Sequence, residues 1–351
     1  VLSIRGVTVR RPRSAAGRPL ALEDTSFSAP PNAVTAVLGP PGAGKTTLLA
    51  AIAGLIPLAR GAVFHGATDI TPLSARRRGV ALLAPGSQLA ETRRLAAALK
   101  RLAGSGATSR MDELLAQFGL APLARAPIGQ LSHGHALAGL TLARLARPAP
   151  ILLIDEAATG LDHEATTALA ARLRQEAAQG SIVLAATRSL PLALAADHLV
   201  LLAEGRVIAA STPATLYAEP RDPLAAALTG PINILHGHVR ELRPEYFVWA
   251  ATGRYVQKAD PDLPRPALGA QVTLGLRPER LAFLHDGETA DNVLEAEIAD
   301  LRSAGPLLNL VLHTPLGPLR MATPSWPHSR YPAVAQRRRV TWGAGAGRIL
   351  G

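Results

Sequence analysis

Apolar positions in the first 230 residues fall in two rhythms. Four short unbroken runs, Val34–Leu38, Ile151–Ile154, Ile182–Ala186 and Leu199–Leu202, predict strands buried on both faces. They stop at chemically distinct places: Gly39, the pair Asp155-Glu156, Thr187, and the turn Glu204-Gly205. Between them the spacing suits helices. Thr46–Leu55 is small and apolar throughout, whereas Glu164–Gln179 carries an amphipathic Ala/Leu/Arg pattern. Strands alternating with helices predict an α/β domain on a largely parallel sheet.

After about residue 230 the rhythm changes. Pro220–Pro231 carries three prolines. Beyond it, short runs separated by turn residues predict strands at His238–Val239, Phe247–Ala250, Gln271–Leu276, Val293–Ile298, Leu307–His313 and Val340–Trp342. This pattern predicts a small all-β, barrel-like domain joined near residue 232, with domains of 1–231 and 232–351. A length of 351 residues accommodates both.

Composition narrows the function classes. A 48% hydrophobic and 18% charged chain is not disordered. Its longest apolar runs fall far short of the ~18 residues a spanning helix needs. The absence of cysteine removes disulfide frameworks and thiolate sites. Nothing in the first residues resembles a secretion signal, so a cytosolic location is expected. The net charge of +11 invites a nucleic-acid reading, yet only Lys45, Lys100 and Lys258 are lysines. The arginine clusters Arg76–Arg78 and Arg337–Arg339 lie apart and are not interleaved with aromatics. No nucleic-acid partner is expected on this pattern.

The chemistry concentrates at one place. Gly39-Pro40-Pro41-Gly42-Ala43-Gly44-Lys45-Thr46 satisfies the phosphate-loop pattern without a mismatch, between a predicted strand and a predicted helix. Glycines let backbone N–H groups turn inward around phosphates, and the following helix points its positive end at them. Lys45 is placed to reach the β- and γ-phosphates and Thr46 to ligate Mg²⁺, with Thr47 beside them. Asp155, ending a buried strand, supplies a second Mg²⁺ ligand. Glu156 supplies a carboxylate to polarise the attacking water.

Residues 1–230 resemble the ATPase subunit of an ATP-binding-cassette transporter. Leu131-Ser132-His133-Gly134-His135 sits where that family carries its signature, and Ala158–Asp162 resembles the loop after the acidic pair. Ala196-Asp197, Glu204-Gly205-Arg206 and Thr212-Pro213 resemble the tail of the cassette. Residues 232–351 resemble the oligonucleotide-binding-type accessory (TOBE) domain of importer ATPases, most plainly at Leu276-Arg277-Pro278-Glu279. Gly230–Leu235 resembles the polyamine and ferric-iron group.

The resemblance implies an α/β P-loop NTPase domain followed by a small OB-like β domain, binding ATP and Mg²⁺. It implies two ATPase subunits, in a homodimer or a heterodimer, that sandwich ATP. Each phosphate loop would face Ser132 and the Gly134 N–H of the other subunit. It also implies transmembrane permease subunits, a solute-binding protein, and a peripheral position on the cytoplasmic face of the inner membrane.

Four positions depart from the family pattern. Pro85 stands where a glutamine is usual, with Gln88 three residues on. His133 and His135 replace Gly and Gln of the signature. Arg188 replaces the histidine that contacts the γ-phosphate, where it can still neutralise charge. No aromatic occurs in Arg10–Arg13 to stack on adenine, so an arginine plane is the expected substitute. Two readings follow: an importer ATPase with Glu156 and Arg188 at the reaction centre, or a nucleotide-binding regulatory subunit that closes without turnover.

Overall fold

The computed structural model describes residues 1–10, 20–83, 94, 95, 97, 112, 115, 116, 120–127, 130, 149–156, 163–285, 287–325 and 332–351. The chain forms two compact units, Val1–Leu216 and Tyr217–Gly351.

In the first unit the described elements run β1 (Leu2–Arg10), β2 (Leu20–Ala29), β3 (Val34–Leu38), α1 (Lys45–Ala53), β4 (Arg60–His65), β5 (Thr68–Asp69), β6 (Val80–Leu83), β7 (Ile151–Asp155), α2 (His163–Ala178), β8 (Ile182–Thr187), α3 (Leu190–Leu194), β9 (His198–Ala203) and β10 (Arg206–Ser211). They build an antiparallel sheet, β2-β1-β4-β5, and a main sheet, β10-β9-β3-β8-β7-β6. Within the main sheet β6, β7, β8, β3 and β9 are parallel to their neighbours, and β10 closes one edge as an antiparallel hairpin.

The predicted buried strands are buried throughout, because the main sheet is covered on both faces. Alternation divides their side chains. Val37, Ile151, Leu153, Ile182 and Leu184 pack with Leu48, Leu49 and Ile52 of α1 and with Leu2, Ile4 and Phe27 of the antiparallel sheet. Val34, Leu152, Ile154, Val183 and Ala185 turn the other way, toward Leu169 and Leu173 of α2 and Leu192 of α3. Helix α1 is therefore apolar nearly all round, as a helix enclosed by two sheets must be.

The second unit opens with Tyr217 and Ala218, the end of α4 (Pro213–Ala218), followed by α5 (Pro223–Thr229). Asp222 caps α5, accepting from the N–H groups of Leu224 and Ala225. Two antiparallel sheets follow. One has the order β13 (Arg254–Lys258), β12 (Tyr246–Ala250), β11 (Asn233–Leu242), β14 (Gln271–Leu276), β20 (Gly347–Ile349). The other runs β15 (Ala282–Phe283), β19 (Arg337–Trp342), β16 (Asn292–Ala304), β17 (Leu307–Thr314), β18 (Gly317–Pro324). The expected barrel thus takes the form of two sheets over one core, in which Phe247, Trp249 and Leu274 meet Ile298, Leu310 and Trp342.

The compact division falls ahead of the junction expected near residue 232, and Arg277 gives the reason. This buried guanidinium donates to the carbonyls of Tyr217, Ala226, Gly230 and Pro231 and to Thr229 Oγ1. It also stacks 4.1 Å from the Tyr217 ring centroid. The helices before residue 232 are thereby tied to the β structure after it.

Candidate functional site

Strands β3, β7 and β8 end at the same edge of the main sheet. The register pairs Leu38 with Thr187 and Asp155 with Ala186. Gly39, Glu156 and Arg188 therefore emerge together, at the edge where parallel α/β sheets bind ligands.

The phosphate loop is shaped by close approach and by left-handed backbone. A Cβ on Gly39 would lie 2.0 Å from the Leu202 carbonyl oxygen, so only glycine lets the loop pass β9. Gly42 and Gly44 have φ of +78° and +105°. Gly44 caps α1 without a side-chain hydrogen bond, and the first turn of α1 holds no acidic residue. The N-terminus of α1 is thus left electropositive for an anion.

Lys45 is buried at the base of this loop. Its ammonium donates to the carbonyls of Gly39 at 2.7 Å and Pro40 at 3.2 Å. Burial lowers its pKa, partly offset by Glu156, whose Oε1 lies 4.0 Å from Nζ. Glu156 Oε2 accepts from Arg188 Nε at 3.1 Å. Glu156 holds a φ of +51°, an uncommon conformation for a residue with a Cβ.

Asp155 is 1% exposed, and burial pushes its carboxyl above the usual carboxylate range. It accepts a hydrogen bond from the Thr46 side chain. Among the described residues its Oδ1 has no hydrogen-bond partner. A buried, unsatisfied carboxylate oxygen beside a hydroxyl is the hard-oxygen donor set that suits Mg²⁺.

Pro41, Gly42, Ala43, Gly44, Lys45, Thr46, Thr47, Glu156 and Arg188, with Ala21, line one cavity of about 470 Å³. Next to it, sharing Ala21 and Thr47, lies a more apolar cavity of about 660 Å³ walled by Val9, Ile56, Pro57, Leu58 and Ala59, with Arg10 on its lining. Of the expected residues, Pro41–Thr47, Glu156 and Arg188 thus share one cavity, while the carbonyls of Gly39 and Pro40 meet it through the Lys45 ammonium. The apolar cavity was not foreseen, since Val9 and Ile56–Ala59 carry no motif. Ser132, Gly134, His133, His135, Pro85, Gln88 and Ala158–Asp162 lie outside the described residues. His236 and His238 sit on the exposed face of β11, and among the described residues no group of three His, Cys, Asp or Glu forms a metal site.

A phosphate loop between β3 and α1, with an acidic pair ending β7, defines a nucleotide-hydrolysing P-loop domain. Residues 22–159 match the family model described as ABC transporter. The Fe(3+) ions import ATP-binding protein FbpC of Streptomyces coelicolor is 34% identical over 248 residues, 68% of this chain and 70% of the relative. The spermidine/putrescine import ATP-binding protein PotA of Rubrobacter xylanophilus is 30% identical over 309 residues, 85% of this chain and 80% of the relative. A solved ATP-binding subunit of an ABC transporter aligns with a TM-score of 0.53 at 26% identity, over 62% of this chain and 91% of that one. The chain belongs to the ABC transporter family, as an ATPase of its import-type subunits. Among the described residues no helix is long and apolar enough to cross a membrane.

Proposed function

We propose that this chain binds Mg-ATP in the Gly39–Thr47 loop and hydrolyses it to drive import of a small solute through permease subunits in the membrane. The observation that carries the reading is the arrangement of Lys45, Thr46 and Glu156 around one cavity, with the buried Asp155 hydrogen-bonded to Thr46. Lys45 Nζ sits on two loop carbonyls that an entering phosphate would replace. The backbone N–H groups of Gly42–Thr46 and the N-terminus of α1 would hold the phosphate oxygens. Adenine would occupy the apolar cavity, with the Arg10 guanidinium against its face.

Thr46 and Asp155 would hold Mg²⁺, which when bound neutralises charge on the β- and γ-phosphates. Glu156, at the cavity wall, would accept the proton of the attacking water. Two such chains, or this chain and a related one, would close on two nucleotides, with Ser132 and Gly134 of each facing the other's loop. The printed solutes of the relatives, ferric iron and polyamines, make these the first transport substrates to test, with a solute-binding protein as the delivering partner. The cytoplasmic face of the inner membrane is the corresponding location.

A second reading, a subunit that binds ATP without turnover, draws on Arg188 holding the Glu156 carboxylate. One experiment separates them: Mg-ATP turnover and nucleotide binding by the purified chain, wild type against Glu156→Gln. Turnover in wild type that falls ~10²–10⁴-fold in the variant, with binding kept, supports the motor. Binding in both with equal, negligible turnover supports the regulatory reading. Failure of wild type to bind ATP overturns both.

A further inference from the structure

The turn between β9 and β10 stands against the phosphate loop without lining its cavity. It is two residues long, between the paired Ala203 and Arg206, and Glu204 and Gly205 are both left-handed, with φ of +51° and +80°. The Gly205 N–H donates to the Ala43 carbonyl at 2.9 Å. The Gly205 carbonyl in turn accepts from the Glu23 N–H at 2.9 Å and from Oγ1 of the fully buried Thr25 at 2.9 Å. One residue thus ties the loop to β2. No side chain fits where the three backbones meet. A Cβ on Gly205 would lie 2.7 Å from the Ala21 carbonyl oxygen, and one on Gly44 would lie 2.9 Å from the same atom.

The peptide between Ala43 and Gly44 is trans, so its C=O and N–H point in opposite directions. With the carbonyl drawn to Gly205, the Gly44 N–H is turned away from the hairpin, toward the cavity that Ala43, Gly44 and Lys45 line. Among the described residues that N–H has no acceptor, whereas the Gly44 carbonyl already accepts from the Leu48 N–H at 2.8 Å. A glycine leaves its preceding peptide free to flip. The flipped form would meet an entering phosphate with a carbonyl oxygen instead of a donor, exchanging attraction for repulsion.

We propose that Gly205 is a positioning residue for phosphate recognition: its N–H locks the Ala43–Gly44 peptide so that the Gly44 N–H faces the phosphates, and Thr25 holds Gly205 in that place. The proposal rests on the nucleotide-site reading above and adds what aims one of its donors before the ligand arrives. A donor already aimed loses no affinity to being ordered on binding.

The test reads the Gly44 amide itself. The full chain, ¹⁵N-labelled, is titrated with inorganic tripolyphosphate and Mg²⁺ and followed by NMR as wild type, Gly205→Ala, Thr25→Val and Thr25→Ser. Affinities for tripolyphosphate and Mg-ATP are measured by calorimetry at a temperature where each variant is folded. In wild type the Gly44 amide proton is expected to move downfield on binding. Gly205→Ala is expected to abolish that movement and to weaken both ligands about 5–50-fold, the range for one hydrogen bond to a charged group. Thr25→Val should weaken them about 2–5-fold, and Thr25→Ser, which keeps the donor, should stay within about 2-fold of wild type.

A merely structural role would lower the unfolding midpoint of Gly205→Ala while the folded variant keeps the wild-type affinities and Gly44 response; that result overturns the proposal. So does a Gly44 amide that stays still in wild type while those of Lys45 and Thr46 move. Should Gly205→Ala not fold, the Thr25 pair decides, and equal affinities for Thr25→Val and Thr25→Ser overturn the proposal. If wild type binds neither ligand, it is the site reading itself that fails.

Discussion

The Thr46 side chain donates a hydrogen bond to Asp155, joining the first turn of α1 to the end of β7. Asp155 Oδ1 is buried with no hydrogen-bond partner among the described residues. In the absence of metal this arrangement burdens the fold. Burial raises the Asp155 pKa, so the native state holds that proton more tightly than the unfolded chain does. Stability is therefore lost as pH rises through the raised native value, and it is recovered as pH falls toward the ordinary carboxylate range. Asp155→Asn is expected to raise the unfolding midpoint by a few degrees at pH 7–8 in EDTA, with the gap closing at acid pH. The same variant should lose the Mg²⁺-dependent part of ATP affinity. Melting curves across pH, with and without Mg-ATP, check both halves.

Two loop glycines should fail for different reasons. Gly39→Ala places a Cβ against the Leu202 carbonyl, a backbone atom that cannot move without β9. A loss of about 1–3 kcal/mol is expected, with nucleotide binding abolished. At Gly42 a Cβ meets nothing within 4 Å, and only the φ of +78° opposes it. Gly42→Ala should lose about 1–2 kcal/mol and retain weakened binding. Denaturant titrations and nucleotide affinities on the two variants test the contrast.

Arg10 borders the apolar cavity proposed to take adenine. Arg10→Ala is expected to weaken ATP by roughly 2–30-fold, corresponding to about 0.5–2 kcal/mol for a cation–π contact. Affinity for inorganic tripolyphosphate should stay unchanged. Arg10→Tyr should match or exceed wild type. Equal weakening of ATP and tripolyphosphate would place Arg10 at the phosphates instead of the base.

Arg277 makes contacts that no other residue of its unit could replace. Its removal strands several buried carbonyls, at about 1–3 kcal/mol for each orphaned group. Arg277→Ala is expected to lower the unfolding midpoint of the second unit by roughly 10 °C. Arg277→Lys should recover little, because one ammonium cannot reach acceptors spread over Tyr217, Ala226, Gly230 and Pro231. Tyr217→Phe, which removes only the 2.8 Å bond to Glu279, should have a small effect. Calorimetric scans of the three variants check the order.

The phosphate loop and four of the six strands of the main sheet were legible because their signals are contiguous. Val34–Leu38 and Gln271–Leu276 appear as strands with the bounds expected of them. The antiparallel sheet was not legible. Register shifts between Ile4 and Val7 and between Val7 and Val9 break the alternation of β1 that would announce it. Strand β18 hides behind Pro318 and Pro324, and β20 has three residues. The pairing of Arg188 with Glu156 depends on two strands lying side by side, which no spacing along the chain records. Leu276–Glu279 was visible as a resemblance, while its physical purpose needed the carbonyls that Arg277 collects.

That collection has a bearing on how the polypeptide can be cut and recombined. A chimera joined at residue 232, where composition changes, separates the guanidinium from Tyr217, Ala226, Gly230 and Pro231 and must rebuild all four acceptors from foreign sequence. A graft that begins at Tyr217 carries lock and key together. The unit of exchange between such subunits is therefore larger than the β structure alone, and the end of α4 and the whole of α5 travel with it.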